Sequence, residues 1–405
     1  MSTLIRSALR RAVAASTAWL ALVSVALCNT WIVDQANGPG AHFTTIPPAI
    51  AAAAPGDVIL VRHGYYGGFT LTRGMTVLGQ GLVEIFPGSV AVSAVPAGEV
   101  AALCNFRSYV AVDNCTGTVL LQGLDGSTLV QASTDVRIRE ANANWYSNAS
   151  LRVVNSRVQL GQSRLVGFDG WDAECISHVP ATPGGDALTC QGITRLHFTN
   201  SLAYGGTGGY DDFDIGCWLP AGQGGKGIAT SGPGGGMLEL ILCGSQVHGG
   251  SGGGTPPGPS GPSMVLSPNV TAWSSQTTYS PTAPLLTGGT YHQQPTTEPT
   301  LELIGVPTPG AVITLRLHAN PGVAVRLNVG RKPIVQPATG ILIEGLVLKE
   351  RSFDRGLMPP SGFLDSPWLI QPGAPAGKLL IFQVKVTNPS NNLTQKSNSV
   401  ETLVQ

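Results

Sequence analysis

Charge is scarce in this chain: only 11% of its 405 residues are Asp, Glu, Lys or Arg, against about a quarter in an ordinary soluble protein. The 23 basic and 23 acidic residues cancel, and no basic stripe gathers anywhere, which excludes nucleic acid as a partner. No Cys-x-x-Cys pair and no Cys/His cluster has zinc-site spacing, so a structural zinc is excluded. The spelling Gly-x-Ser-x-Gly falls only inside the glycine run 249–253, with no helix pattern after it, so no serine-hydrolase elbow is read there. Beyond the N-terminus there are no periodic runs of Ala, Leu, Glu, Lys and Arg of helical length. What abounds is Gly (53) and Pro (30), the residues of frequent turns. These absences and excesses make the class all-β.

The one long apolar run lies at the start. Arg6, Arg10 and Arg11 precede residues 12–27, and Ala26 and Cys28 are small residues at −3 and −1 of a cleavage before Asn29. That is the order of a secretory signal over 1–28. The run, about 16 residues, is short of the about 20 that a membrane span needs. A lipoprotein signal fits less well, because Val25-Ala26-Leu27 lacks Leu at −3 and a small residue at −1. The expectation is a secreted or cell-surface protein with no stable transmembrane segment once the signal is removed. Six cysteines then remain: Cys104, Cys115, Cys175, Cys190, Cys217 and Cys243. An even count in an exported chain favours disulfides. Six cysteines allow 15 pairings, of which Cys104–Cys115, Cys175–Cys190 and Cys217–Cys243 are the locally economical set.

The stretch from Thr30 to Gly81 reads TWIVDQANGPGAHFTTIPPAIAAAAPGDVILVRHGYYGGFTLTRGMTVLGQG. Thr44 or Thr45 can cap a short helix reaching Ala54, with Pro47 tolerated in its first turn, and Pro55-Gly56 stops it. Short β-prone runs at 58–61, 69–71 and 75–78 follow, separated by Gly-containing turns. FTTIPPAIAAAAPGDVILVRHGYYGGFTL resembles the opening segment of secreted bacterial right-handed parallel β-helix proteins of the pectin-lyase-like fold. There a TIQ-A-I-AA-PGD-I-V-PG-Y string begins the first coils. Pro47 stands here in place of the usual Gln, and His63 where Pro is common. The resemblance implies a solenoid with a helical cap over its first coil. It implies no single activity, since lyases, hydrolases, epimerases and proteins without known activity share that opening.

Repeats extend the pattern. Leu129/Leu151, Val136/Val158 and Ile138/Leu160 are each 22 residues apart, about one coil. Segments 157–170, 195–208 and 238–252 align on Ser163, Ser201 and Ser245, with apolar residues three and five positions before each serine. The gaps of 38 and 44 residues read as two coils each, with Gly184–Thr189 and Gly224–Thr230 marking the intervening ones. Residues 29–250 are therefore expected to form the β-helix. The Gly/Pro/Ser/Thr-rich stretch 251–297 reads as a linker. From 298 to 405, expected strands at 300–304, 311–317, 323–329, 341–348, 379–386 and 399–403 suggest a small β-sandwich of about seven strands. This part resembles the C-terminal β-domains appended to bacterial secreted proteins.

Three groups of residues could carry chemistry. Between Leu165 and Ser260 eight carboxylates (Asp169, Asp172, Glu174, Asp186, Asp211, Asp212, Asp214, Glu239) face two cations, Arg195 and Lys226, a local charge of −6. Asp211, Asp212 and Asp214 could hold Ca²⁺ through hard oxygens or act as acid and base of a glycosidase; alternatively they are a solvated loop between coils. Arg195 and Lys226 are the basic options for a lyase. The departures from family patterns matter here. Gly205-Gly206-Thr207-Gly208-Gly209 is followed by Tyr210, one residue off the calcium-solenoid repeat. Asp211-Asp212 partly matches the aspartate pair of β-helical polygalacturonases. However, His248-Gly249 lacks the preceding Gly, and no Arg-x-Lys follows in the repeat region.

The second group is His178, His197 and His248, of which His197 alternates with Leu196 and Phe198 as a solvent-facing rung residue would. The third is aromatic. Trp145, Tyr146, Phe168, Trp171, Tyr204, Tyr210, Phe213 and Trp218 recur near glycine-rich turns, where they either pack under loops or stack on sugar rings. Trp171, Tyr204, Tyr210 and Trp218 are the carbohydrate candidates. No cofactor is expected, Ca²⁺ being the one ion the acidic loops could hold. The acidic and basic groups look scattered along the chain. That favours an exported, non-catalytic scaffold that binds or presents at the cell surface toward polysaccharide or envelope glycan. A polysaccharide lyase or glycoside hydrolase is the alternative.

Overall fold

The computed structural model describes residues 29–143, 149–175, 177–214, 217–231, 238–281, 283–293, 299–336, 345–348 and 350–405. The expected signal (1–28), Trp145 and Tyr146 lie outside the described residues, as do the side chains of Phe213, Asp214 and Cys217. The fold is nearly all β. Three parallel sheets of 11, 9 and 5 strands are built in rotation as the chain advances. Asp135–Arg139 joins the first sheet, Asn142–Ala143 the third, Ala149–Val154 the second, and Arg157–Gly161 returns to the first beside Asp135–Arg139. Each circuit thus stacks on the one before it, and one apolar column runs up the middle, from Ile59 and Val77 through Leu121, Ile138, Leu160 and Phe198 to Leu242 and Ala272.

The short helix Ile46–Ala52 closes the first end. Prolines occupy its first turn, Thr45 flanks it in extended conformation without a side-chain cap, and Ile46 and Ala49 are buried. The helix stops two residues before the expected Ala54. Asp57, in the Pro-Gly-Asp motif, does more than follow a helix stop: its carboxylate accepts hydrogen bonds from the backbone N–H groups of Asn29 and Ala54 and from the Trp31 indole. Burial pushes its carboxyl up, but these donors outweigh that and hold it below the usual range.

Like residues stack because parallel strands pair in register. Val136 lies beside Val158 and Ile138 beside Leu160, as the 22-residue spacing indicates. On the second sheet the step is one longer, so Leu129 pairs with Arg152 and not with Leu151. Between the first and third sheets the chain turns at single residues with positive φ: Glu140 (54°), Gln162 (50°), Asn200 (46°) and Gly244 (58°). The serines that follow form a ladder through the turns. Ala141 N–H donates to Ser163 Oγ (3.1 Å), Ser163 N–H to Ser201 Oγ (3.1 Å) and Ser201 N–H to Ser245 Oγ (3.2 Å). The serines thus satisfy backbone donors that a bend removes from the sheets.

Several expectations are corrected. Arg157–Gly161, Arg195–Thr199 and Leu238–Cys243 are immediate neighbours in the first sheet, so the 38- and 44-residue gaps are single coils with long excursions. Asp186–Gln191 and Ile228–Ser231 belong to those same coils as second-sheet strands. Nor is 251–297 a linker. Met264–Leu266, Val270–Ser275, Thr278–Ser280, Leu285–Leu286 and Thr290–Gln293 carry on all three sheets. Cys104, Cys115, Cys190 and Cys243 are buried thiols outside any disulfide, which overturns all three proposed pairings; Cys175 is disulfide-bonded. The four thiols lie on different faces: Cys115 and Cys190 in the central column, Cys104 and Cys243 on the outer face of the first sheet. Burial pushes the Cys104 and Cys190 thiols up to about 12.

The C-terminal residues form two antiparallel sheets around a shared core. Thr300–Ile304, Val312–His318 and Phe363–Leu369 make one; Arg351–Leu357, Ala324–Gly330, Leu379–Thr387 and Thr394–Leu403 make the other. Leu301, Leu303, Ile313 and Leu315 meet Val325, Leu327, Phe382 and Val384 between them. Of the strands not foreseen, Arg351–Leu357 and Phe363–Leu369 sit at sheet edges, and Lys332–Gln336 pairs with Gly345–Leu348.

This unit is not tethered loosely; its last strand lies against the outer face of the first parallel sheet. Arg137 is wedged between Asp135 (3.0 Å) and Glu401 (2.7 Å), Gln159 Nε2 donates to the Ser399 carbonyl (2.9 Å), and Arg139 donates to the Glu401 carbonyl (2.9 Å). Further along, Leu403 packs with Leu78, Ala102, Cys104 and Leu120. Burial drags the Arg137 guanidinium down, yet Glu401 and Asp135 more than restore it, and it stands above its usual range. Glu401→Ala removes one of the two carboxylates that flank this buried cation, at an expected cost of about 3 kcal/mol. Urea denaturation measures it; a loss below about 1 kcal/mol would mean that the two units do not unfold together.

Candidate functional site

The long excursions of the three central coils meet beside the parallel sheets and form a bundle of glycine-rich strands. Segment 204–210 is its middle member, and its backbone donors turn through three directions in succession. Gly205 and Gly208 donate to the carbonyls of His248 (2.9 Å) and Ser251 (2.9 Å), while Gly206 and Gly209 donate to those of Gly185 (2.8 Å) and Thr182 (3.0 Å). Thr207 and Tyr210 donate to the carboxylates of Asp169 (2.7 Å) and Asp172 (2.8 Å). A three-residue period is that of an extended polyproline-II-type helix, which has no internal hydrogen bonds and must find all its partners outside itself. Gly167, Gly170 and Ala173 donate back to the carbonyls of Tyr204, Thr207 and Tyr210, and Gly225 and Gly222 to those of Gly206 and Gly209.

Glycine is required by proximity. A Cβ on Gly206 would collide with the Phe168 carbonyl oxygen, and one on Gly208 with the carbonyl of Gly222. Hence the Gly-Gly-x-Gly-Gly spelling at 205–209 and again at 249–253: two positions in three face a neighbouring backbone. The three-residue period was the signal that could have found the bundle.

The acidic candidates are distributed through this architecture and do not converge. Asp211 accepts from Thr255 N–H (3.1 Å), Asp212 from Cys175 N–H (2.6 Å) and Asp186 from Lys226 N–H (2.8 Å). Asp169, Asp172 and Glu174 are exposed, as a solvated loop would have them, and Asp169, Asp172, Asp211 and Asp212 also accept backbone N–H groups of the bundle. Asp214 belongs to the hairpin Asp212–Asp214/Cys217–Leu219, and its side chain lies outside the described residues. Arg195 is ion-paired with Glu239 on the neighbouring strand (3.0 Å), and Lys226 faces Asp186 (3.9 Å) at the start of a second-sheet strand. Burial raises the Asp186 carboxyl above its usual range despite Lys226. Among the described residues no group of three or more His, Cys, Asp and Glu side chains could hold a metal.

Three of the four aromatic candidates are exposed. Trp171 (64% exposed), Tyr210 (58%) and Trp218 (65%) emerge around the end of the bundle remote from the sheets. There Thr182 N–H donates to the Trp171 carbonyl, and Ala173 N–H to that of Tyr210. Trp218 sits on the hairpin that Asp212 fastens to Cys175. Tyr204 is instead near the base, half-buried and stacked on His248 at 4.4 Å. Phe168 supports Trp171 with a ring-centroid separation of 5.5 Å.

His197 also differs from its expectation. It does face away from the core, in register between Gln159 and Ile241, but it is only 3% exposed, and neither ring nitrogen has a partner. Burial first, then the positive charges of Arg195 and Arg157, depress it to about 3.

No known protein family and no curated protein matches this chain. Among solved structures, a DUF3823 family protein from Bacteroides ovatus is similar at 16% identity and a TM-score of 0.21, over 29% of this chain and 62% of that one. The chain spans under two thirds of that protein, and a likeness of this size carries no argument.

Two outcomes follow from this geometry. An unfolded chain protonates His197 near pH 6.5, whereas the folded one resists until about pH 3. Unfolded protein therefore binds more protons between those values, and stability rises with pH across the window by up to about 1.4 kcal/mol per unit before levelling off. Denaturation midpoints measured from pH 4 to 7 should lose that slope in His197→Leu; an unchanged slope places the titration elsewhere. Gly206→Ala should cost about 1–3 kcal/mol through overpacking, read as a lowered melting temperature, and a neutral result would contradict the backbone contact.

Proposed function

We propose that the chain is an exported, non-catalytic scaffold: a right-handed parallel β-helix of the pectin-lyase-like kind, bearing a C-terminal β-sandwich, that binds carbohydrate at a cell surface. The observation carrying this reading is the tip of the glycine bundle, where Trp171, Tyr210 and Trp218 are exposed together on strands held by backbone hydrogen bonds. Large apolar rings are normally withdrawn from water unless they serve a contact. A pyranose offers an apolar C–H face to such a ring and hydroxyls to the carboxylates of Asp169 and Asp172 beside it. The β-helix assignment draws on the three parallel sheets built in rotation and on the helix over the first coil. Against a lyase or hydrolase, Asp211 and Asp212 each accept a backbone N–H, and Arg195 and Lys226 face their own carboxylates.

Binding of the purified protein to a panel of plant and bacterial polysaccharides tests the reading, with reducing-end release followed in parallel. Trp171→Ala and Trp218→Ala should each weaken binding about tenfold or more, the scale of an interface anchor, while melting temperatures stay near that of the parent. Release of reducing ends that disappears in Asp211→Ala and Asp212→Ala would overturn the non-catalytic reading. Absence of binding across the panel would overturn the carbohydrate reading.

A further inference from the structure

A second candidate surface lies on the opposite flank of each coil, where the first sheet turns into the third. The turn residues and the C-terminal unit enclose an open groove of about 790 Å³. One wall is the outer face of the third sheet, where Asn142, Arg164, Leu202 and Gln246 stand in register on four successive rungs. They alternate with Ala143, Leu165, Ala203 and Val247, which point into the core. Rungs are about 4.8 Å apart, so this row is about 14 Å long. The other wall carries Glu302. Leu301 and Leu303 on either side of it enter the C-terminal core. The Leu303 carbonyl accepts hydrogen bonds from Gln162 (3.1 Å) and Arg139 (3.4 Å). Docking of the two units therefore fixes Glu302 across the groove from the rung row.

What distinguishes this groove from an ordinary crevice is that several of its polar groups are unspent. Elsewhere in the interface the charges are satisfied: Arg137 by Glu401, and Glu140, at the groove margin, by Arg139 at 2.6 Å. In the groove, Arg164, Asn142 and Gln246 have no side-chain partner among the described residues, and Glu302 stands in register with Arg316, whose guanidinium is forked onto Asp365. A guanidinium, two amides and a carboxylate, all planar and able to form paired hydrogen bonds, face one channel whose unpaired charges sum to zero. Vicinal hydroxyls are the chemistry that engages all of them at once. An acidic polymer would gain Arg164 but meet Glu302 on the other side.

We infer that this groove is a second binding site, for a neutral extended oligosaccharide of about three sugar units lying along the rungs. The inference rests on the carbohydrate reading above and adds a second site with its own specificity. Because the row follows the coil repeat, sugars of a regular polymer meet a regular succession of side chains. The groove sets which backbone is read, and the aromatic tip adds a stacking contact elsewhere on the same molecule.

Titration calorimetry with defined tetrasaccharides tests it, comparing cello-, xylo-, manno- and chito-oligosaccharides with tetragalacturonate. The parent is compared with an Arg164→Ala/Gln246→Ala double variant and with Trp171→Ala/Trp218→Ala. The expected result is binding of at least one neutral tetrasaccharide, weakened tenfold or more by the groove variant and changed less than threefold by the tip variant, with tetragalacturonate weaker than the neutral ligand. Glu302→Gln, which keeps the shape and removes the charge, should bring the uronate closer to the neutral ligand. Binding abolished only by the tip variant would overturn the groove and keep the carbohydrate function. Binding of no tetrasaccharide by the parent would overturn both. Preference for tetragalacturonate would overturn the neutral class.

Discussion

Each coil of the parallel stack hydrogen-bonds to the coil before and after it, and most other features are ways of keeping that axial pairing unbroken. A chain that turns out of a sheet leaves backbone donors without a carbonyl, and buried donors cannot stay so. At the tight turns, Ser163, Ser201 and Ser245 supply oxygens to the rung before. In the wide excursions, where no sheet continues, the same demand is met by other excursions. Backbones approach so closely that only glycine fits at Gly206 and Gly208. Asp169 and Asp172 stand in where segment 204–210 points a donor away from any neighbouring carbonyl. The bundle is thus the axial rule carried beyond the sheets with a period of three in place of two.

The outer face of the first sheet obeys a second requirement. Along one ladder it changes from Ala102 and Leu120 to Arg137, Gln159, His197, Ile241 and Trp273, and the part nearest the C-terminal strand answers it group for group. Leu403 meets the apolar rungs, Glu401 meets Arg137, and Ser399 meets Gln159. A buried ion pair gives little net stability but penalises any mispairing strongly, so this sequence of contacts specifies a register more than it supplies strength. His197, one rung further, has no such answer and weakens the stack as it becomes protonated.

How much of this could be read from the chain depended on whether a residue's neighbours were set by period or by distance. Val136/Val158 was legible because that coil carries no long excursion, and the three aligned serines because each follows its first-sheet strand at the same offset. Leu129/Leu151 failed by one residue because the second sheet's step is longer. The stretch 251–297 looked coreless, yet Met264, Leu266, Val270 and Ala272 are fully buried; a coil needs only every second residue apolar, and short strands hide that in a Ser/Thr/Pro background. The cysteine pairing failed because proximity in sequence says nothing about which side of a strand a thiol occupies. Arg164 and Gln246, each following an aligned serine, were in register on the page but carried no signal until the C-terminal wall stood opposite them.

The acidic region illustrates why composition misleads in such a fold. A net charge of −6 in one segment of a chain whose total is zero invites a catalytic or metal reading, and that reading needs carboxylates that point at one another. Asp169, Asp172, Asp186, Asp211 and Asp212 point instead into separate N–H groups of the chain. Their clustering in sequence reflects the clustering of excursions. The same hydrogen bonds hold the strands from which Trp171 and Tyr210 project, so these rings are presented on an ordered framework, and less conformational freedom is lost when a partner stacks on them. A residue set that looks like chemistry in the sequence is, in space, the support that makes a recognition surface stiff.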